Sequence, residues 1–152
     1  GGPQRDLVSK LLSGNQALDP AQDPRAKAKW KHLLRSVRVK DLRFTHNEVS
    51  TTFQHGRHRG EPVKTLLTDC QRLGKPPSDM PPLVAVDWDN QLWTVFGNRR
   101  LKALKDFQEG CPRTTVTVQA IVHPFAESPS SLVVKFVDAC TTRNNGASAP
   151  FR

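Results

Sequence analysis

Four consecutive residues near the middle of the chain have the types and the spacing to bind an anion: Gly97, Asn98, Arg99 and Arg100. The residues before them alternate as in a strand, and the apolar residues after them have helical spacing, so they predict a strand, a tight glycine turn and a helix. Free N–H groups at a helix start, a glycine that lets the backbone approach closely and two guanidinium groups suit phosphate oxygens. The sequence therefore predicts a phosphate or nucleotide site here.

A plain strand, turn and helix with basic residues facing water would show the same local pattern. Positive side chains in the first turn of a helix, however, oppose its dipole at a cost of about 0.3–1 kcal/mol each. A bound anion would remove that cost. The first interpretation is therefore kept, and the second stays open as its alternative.

The overall charge also favours an anionic partner. Among 152 residues there are 23 Lys and Arg and 14 Asp and Glu, for a formal net charge of +9. This balance favours nucleic acid, a nucleotide or an acidic protein surface, although a basic protein without such a partner has the same composition. No apolar run approaches the roughly 20 residues of a membrane span, so no membrane partner is predicted.

The N-terminal residues and the cysteines indicate a compartment. No apolar signal segment is visible at the N-terminus. Three widely spaced cysteines do not suggest a disulfide framework. We therefore expect an intracellular, reducing environment: the cytoplasm, the nucleoid or the nucleus.

Residues 1–35 are predicted to form an N-terminal extension of two helices. The first is short and amphipathic, and the second runs over residues 24–35 with Trp30 on its apolar face. Lys27 and Lys31 lie on the basic side of this second helix. They are candidates for contact with a nucleic-acid backbone, or they belong to an ordinary solvated helix face.

A basic stretch with glycines at its borders ends the predicted loop over residues 45–60. Arg57 and Arg59 lie in it and are further candidates for nucleic-acid contact. His55 and His58 lie beside them, but no third ligand has a suitable spacing, so no metal site is predicted.

The remaining pattern predicts a single compact α+β domain over residues 36–140, followed by a flexible tail over 141–152. Strands and helices alternate, which predicts a small mixed sheet with helices packed on it. Cys70 lies on the apolar stripe of one helix and is predicted to be a buried apolar residue. The predicted elements are strand 36–44, helix 62–73, a hairpin of strands 83–86 and 91–96, a helix after Gly97, strand 114–122 and a helix from about 130 to 140.

The chain resembles the ParB/sulfiredoxin superfamily over residues 36–122 in two respects. One is the order of the predicted strands and helices, and the other is a sequence motif, the box, formed by Gly97, Arg99, Arg100 and Ala103. ParB-like proteins have a Gly-x-Arg-Arg-x-x-Ala box at this place. The resemblance implies a compact domain that binds nucleotide phosphates at the box. The nucleotide is CTP in ParB, where hydrolysis is coupled to clamping on DNA, and ATP in sulfiredoxin. The implied cofactor is thus a nucleotide, ATP or CTP, with Mg²⁺.

Asn98 departs from both branches of this superfamily. Sulfiredoxins have a reactive cysteine at this place and ParB proteins usually a glutamate, and an amide cannot act as a thiolate nucleophile. Sulfiredoxin chemistry is therefore not expected. The resemblance also implies that the start of the helix at 62–73 lies near the box, where Lys64 and Thr65 would offer a cation and a hydroxyl to the phosphates. The alternative is that both side chains face solvent and do not contact a phosphate.

Three functions remain open from the sequence. The first is a ParB-like module that binds a nucleotide and acts on or with nucleic acid. The second is an enzyme at the same site, such as an NTP hydrolase, a phosphotransferase or a nuclease, which would need a carboxylate. The third is a protein-interaction domain with a decayed nucleotide site, using Trp88, Trp93 and the proline-rich loop at 75–82. The candidate carboxylates are Glu48, Glu61, Asp69, Asp87 and Asp89.

Overall fold

The computed structural model describes residues 17–45 and 62–140, together with Gly146 and Ala149. Helices and strands alternate through these ranges, which confirms the predicted α+β class. The α-helices are α1 (Arg25–Lys29), α2 (Val63–Leu73), α3 (Asn98–Gly110) and α4 (Ser130–Ala139). The strands are β1 (Leu34–Arg38), β2 (Leu42–Phe44), β3 (Leu83–Trp88), β4 (Gln91–Phe96) and β5 (Thr117–Pro124).

The five strands form one mixed sheet in the order β1-β5-β3-β4-β2. The pairs β1/β5 and β3/β4 are antiparallel, and the pairs β3/β5 and β2/β4 are parallel. The parallel central pair is buried on both sides, as parallel strands usually are. Both faces of the sheet are therefore available for packing against other elements.

Alternate residues of β3 enter two separate apolar cores. Leu83 and Ala85 belong to the core that α2 and α3 cover. Val84 and Val86 belong to the core on the opposite face, where Leu18, Trp30 and α4 pack. Because side chains alternate across a strand, one short apolar run supplies both cores. The result is a sheet with helices on each face.

The predicted strand over residues 36–44 is wrong as one continuous element. A 3-10 turn at Val39–Asp41 divides it into β1 and β2, which lie at opposite edges of the sheet. Val39 is fully buried, and its backbone N–H donates to the Val116 carbonyl at 2.9 Å. Alternation of apolar residues could not reveal this crossing, because both halves keep the same period.

The predicted helix over residues 24–35 is also wrong in length. The α-helix ends at Lys29, a 3-10 turn follows at Lys31–Leu33, and β1 begins at Leu34. Trp30 explains the change: its indole Nε1 donates to the Ala17 carbonyl at 2.8 Å, and its ring packs edge-on against His123 at 4.7 Å. These tertiary contacts outweigh the local helical pattern.

The other predicted elements are confirmed, with shifted ends. The hairpin turns at Asp89 and Asn90, whose φ angles of 56° and 60° are those of a tight two-residue turn. The helix over 62–73 ends at Gly74, which has a φ of 72°. The last predicted strand begins at Thr117 instead of 114 and continues to Pro124. Cys70 is fully buried, and burial raises the pKa of its thiol to about 11.

The predicted division at residue 35 falls inside β1, and Leu18 and Trp30 from the predicted extension pack in the core of the domain. The predicted first helix, the loop at 46–61 and most of the tail lie outside the described residues. Of the tail, Gly146 accepts a hydrogen bond from the Phe44 N–H at 2.9 Å. None of the helices in the described ranges has the length and apolar character to cross a membrane.

Candidate functional site

Gly97 forms the corner between β4 and α3 with φ of 108° and ψ of 22°. A Cβ atom added there would lie 2.3 Å from Leu83 Cδ2, inside the core. The position therefore requires glycine both for its backbone conformation and for its space. The Gly97 carbonyl accepts the first helical hydrogen bond, from the Leu101 N–H at 2.8 Å. The predicted strand, glycine turn and helix are thus present.

Asn98 is buried, and its side chain joins the helix start to two strands. Its Oδ1 accepts from the Thr45 N–H at 3.1 Å, and its Nδ2 donates to Thr45 Oγ1 and to the Thr94 carbonyl, each at 3.0 Å. Thr45 Oγ1 donates in turn to the same Thr94 carbonyl at 2.7 Å. The side-chain amide of Asn98 is therefore hydrogen-bonded within the protein. The backbone N–H of Asn98 is the group of this residue that remains suited to an anion.

Arg100 is also turned inward, contrary to the expectation that it presents its guanidinium to a ligand. It is 8% exposed, and its Nη1 donates to the carbonyls of Pro81 and Pro82. Its Nη2 lies 3.8 Å from Asp19 Oδ1. Burial lowers the pKa of this guanidinium, and the Asp19 carboxylate opposes that effect. The physical reason for the inward position is that the carbonyls before β3 need donors when buried.

Arg99 and the start of α2 complete the set of predicted phosphate ligands. Arg99 is half-buried in the first turn of α3, which contains no acidic residue. Lys64 and Thr65 are exposed in the first turn of α2, which also contains no acidic residue. The backbone N–H of Thr65 donates to the Pro62 carbonyl at 3.0 Å.

Helices α2 and α3 pack against each other on one face of the sheet. Val63, Leu66 and Cys70 share a core with Leu101 and Leu104. At the other ends of the helices, Gly74 after α2 and Phe107 near the end of α3 line the same groove. The C-terminal ends of the two helices are therefore neighbours.

The predicted nucleic-acid contacts are not brought to this corner. Lys27 and Lys31 are exposed, but they flank Trp30, which packs on the opposite face of the sheet. Arg57 and Arg59 lie outside the described residues. The helix that follows the box packs on the first face, with Leu101 and Leu104 in the other core.

The candidate catalytic carboxylates do not form a group. Asp69 pairs with Arg72 at 3.5 Å, Asp87 lies near the end of β3, and Asp89 lies in the hairpin turn. Glu48 and Glu61 lie outside the described residues. In the parts of the chain that the structure describes, His, Cys, Asp and Glu nowhere form a group of three suited to a metal ion.

Sequence reasoning missed the partners that hold the corner. Asp19, Thr45 and the two proline carbonyls occupy the side chains of the box, and they come from three distant parts of the chain. The carbonyls give no signal in a sequence. Only the many prolines before β3, which leave carbonyls without neighbouring N–H groups, suggest that a donor is required there.

Comparisons with known proteins do not identify a family for this chain. No protein-family model matches the chain, and no curated protein matches it. Among solved structures, it is similar to the C-terminally truncated chromosome-partitioning protein ParB from Caulobacter crescentus complexed with CTP-gamma-S, with 17% identity and a TM-score of 0.43. The match covers 69% of this chain and 51% of that chain, so the chain corresponds to about half of that ParB. A likeness at this level assigns neither a family nor a ligand.

Proposed function

We propose that this chain is a phosphate-binding module that holds a nucleotide between the N-terminal ends of α2 and α3 and acts with nucleic acid through its basic surface. The observation that supports it most is the packing of two helices whose first turns carry Lys64 and Arg99 and no carboxylate, and whose C-terminal ends border the same groove. In this proposal the two positive helix ends and the two cations share one end of the helical layer.

Cationic residues in the first turn of a helix favour a bound anion. Each cation in the first turn of a helix costs about 0.3–1 kcal/mol, and a neighbouring helix end of the same sign adds to that cost. A phosphate group would reverse both effects and would accept hydrogen bonds from the free N–H groups of the first turns. The Thr65 hydroxyl and the Lys64 ammonium, both exposed, are available to the same phosphate.

In this proposal Asn98 and Arg100 are positioning residues and do not contact the ligand. Asn98 ties the first turn to Thr45 and Thr94, and Arg100 ties it to the segment before β3. A corner held from both sides keeps its backbone N–H groups in place before the ligand arrives. Such preorganisation reduces the entropy lost on binding.

The enzyme alternative needs a carboxylate beside the phosphates, and the described carboxylates do not favour it. Asp87 and Asp89 lie near the start of β4, whereas the box follows its end, and a six-residue strand spans about 20 Å. Asp19 lies close to the box, but it faces the buried Arg100. A binding module is therefore the better-supported proposal, with ATP or CTP and Mg²⁺ as its proposed ligands.

Of the two tryptophans that were predicted to form a protein contact surface, only Trp88 supports the interaction-domain alternative. Trp88 is 47% exposed, but Trp93 is only 6% exposed and packs in the core with Phe136. The prediction that Trp93 contributes to a contact surface is therefore wrong. It fails because Trp93 points to the sheet face that α4 covers.

A nucleotide titration tests the proposal. ATP, CTP and GTP are added with Mg²⁺ to the wild-type chain, to the double variant Lys64→Gln, Arg99→Gln and to the control Lys135→Gln, which changes an exposed lysine of α4. We expect one nucleotide to bind, the double variant to bind it about tenfold more weakly or worse, and the control to bind normally. Absence of wild-type binding up to about 1 mM contradicts the proposal. Release of inorganic phosphate would favour the enzyme.

A further inference from the structure

The groove that the C-terminal ends of α2 and α3 border also contains the first half of a strand, and it lies away from the box. We name it the β5 groove; its volume is about 430 Å³. Residues 114–119, which lead into β5, line one wall. The proline-rich loop before β3 lines the other wall with Pro76, Pro77 and Met80. One wall is therefore the edge of a strand, and the other has little capacity to pair with it.

The backbone of β5 directs hydrogen-bonding groups into this groove. The Val116 carbonyl accepts from the N–H of Val39, the residue after β1, at 2.9 Å. In a trans peptide unit the carbonyl and the following N–H point in opposite directions, so the Thr117 N–H points away from β1. Backbone groups alternate along an antiparallel pair, so the Thr117 carbonyl and the Gln119 N–H point the same way. The wall thus presents two donors and one acceptor.

The described chain provides no strand to pair with these three groups. On this side of β5 the neighbouring strand is β3, whose pairing begins with Leu83 opposite Ala120. The two residues before Leu83 are prolines, which have no N–H to donate. Further back in the loop, the Met80 N–H donates to the Pro77 carbonyl at 3.2 Å, so it closes a turn within the loop. The first half of β5 is therefore an open sheet edge inside a groove.

The side chains around this edge are apolar at the floor and nearly neutral at the rim. Phe107 and Val116 belong to the core beneath the groove, and the half-buried Met80 packs against that core. Lys75 is exposed and is the one charged residue of the lining. A ligand that complements the groove therefore combines an apolar side chain with a carboxylate near Lys75.

We propose that the β5 groove binds an extended peptide segment of a partner protein, which adds to the sheet as a short strand beside residues 117–119. In such strand addition, main-chain hydrogen bonds supply affinity, and alternate side chains supply specificity. Here the edge groups of Thr117 and Gln119 would pair with the peptide backbone. An apolar peptide side chain would contact Met80, and an acidic one would lie near Lys75.

A loop that only shields the strand edge is the other explanation, because proteins often cover such edges. A shielding loop would lie against the edge, whereas here a space of about 430 Å³ separates the two walls. This volume is within the range of ligand sites in proteins. The inference goes beyond the proposed nucleotide binding and does not depend on it.

The experiment selects peptides from a displayed library of random seven-residue segments on the wild-type chain, and measures the synthesised, fluorescent peptides by anisotropy. Thr117→Pro removes one edge donor, at the first residue of a strand, where proline is tolerated. Thr117→Val is the matched control, because it changes the same side chain and keeps the N–H. Met80→Gln, with Met80→Leu as its control, keeps the test valid if the proline variant does not fold, and thermal unfolding checks each protein.

We expect selected peptides to bind with Kd values of about 1–100 μM. Thr117→Pro and Met80→Gln should each weaken binding about fivefold, while both controls stay within about twofold of the wild type. N-methylation of alternate peptide residues should abolish binding in one of its two registers only, since the N–H groups of a strand alternate between its sides.

Three results would overturn the proposal. The first is that no selected peptide binds the wild-type chain below about 1 mM. The second is that each test variant binds as its own control does, which would place the peptide elsewhere or exclude backbone pairing. The third is equal binding of the two N-methylated registers, because a strand added to the β5 edge must distinguish them.

Discussion

The two ends of α3 use cationic residues in opposite ways. At its start, the Arg100 guanidinium is enclosed by the chain itself, with the carbonyls of Pro81 and Pro82 and the Asp19 carboxylate around it. Toward its other end, the Lys105 ammonium is half-buried beside Arg43 without an ion pair from the described residues. The first cation is held by hydrogen bonds and a carboxylate, whereas the second has no ion pair among the described residues.

This difference teaches that a sequence motif does not by itself reveal what its residues do. Part of the box, which is conspicuous in the sequence, stabilises the corner that carries it. Lys105, which no motif marks, is a half-buried cation without an ion pair among the described residues. A buried charge costs free energy unless it is paired and hydrogen-bonded, so the surroundings of each cation decide its effect on stability. Four substitutions test whether the comparison holds.

Gly97→Ala should have the largest effect. The new methyl group would meet Leu83 Cδ2 at 2.3 Å, and a φ of 108° strains any residue with a side chain. Together these terms should lower the free energy of unfolding by about 4 kcal/mol, measured by urea denaturation. Gly110→Ala is the control, since nothing lies within 4 Å of its added Cβ. Equal behaviour of both variants would show that the corner is not tightly constrained.

Arg100→Met should follow, with a loss of about 3 kcal/mol. It leaves Asp19 without its cation and the Pro81 and Pro82 carbonyls without their donor. Arg99→Gln, at the adjacent and less buried residue, should cost less than about 1 kcal/mol. If the two variants lose the same stability, the assignment of Arg100 to the fold and of Arg99 to a ligand is wrong.

His123 extends the comparison to the other face of the sheet, as a buried polar group that belongs to the fold. It is 1% exposed, and burial, followed by the charge of His32, lowers its pKa from 6.5 to about 4. Above pH 6.5 the imidazole is neutral in both the folded and the unfolded chain. As the pH falls from about 6.5 toward 4 the unfolded chain gains a proton first, so the folded state loses about 2 kcal/mol by pH 5.

Chemical denaturation at pH 7.5 and pH 5 measures this loss. In His123→Gln the difference between the two pH values should shrink by about 2 kcal/mol, because the titrating group is gone. His32→Gln, which changes an exposed histidine, should retain most of the difference. An unchanged pH dependence in His123→Gln would mean that the interior tolerates the imidazolium.

Lys105→Gln should have the smallest effect on stability. It removes a half-buried cation near Arg43, so the cost of burying the charge offsets the loss of its contact with the Phe44 ring and of the attraction of Glu109 and Asp41. We expect the free energy of unfolding to stay within about 0.5 kcal/mol or to rise slightly, measured by thermal and urea unfolding. A loss above about 1 kcal/mol would give Lys105 a structural role and weaken the contrast between the two ends of α3.

Most helices and strands could be predicted because their signals are local. The alternation before Gly97, the helical spacing after it and the Asp-Asn hairpin depend on residues close in sequence. The predictions failed where a distant contact intervened, as when Trp30 leaves the helix to reach Ala17 and His123. The phosphate site itself stays a prediction: the glycine corner was predicted from the sequence, but the inward positions of Asn98 and Arg100 were not.

By itself, the sequence determined the α+β class, the glycine at the corner and the positive charge of the first turn of α3. Each follows from the period of apolar residues or from the conformation that one residue type allows. Only the tertiary structure determined which of those positive charges is neutralised inside the protein. Arg100 is enclosed because the Pro81 and Pro82 carbonyls and Asp19 meet it from distant parts of the chain, whereas no carboxylate within the described residues meets Lys105 in an ion pair. Neutralisation of a charge depends on distance in space, which spacing along the chain does not encode.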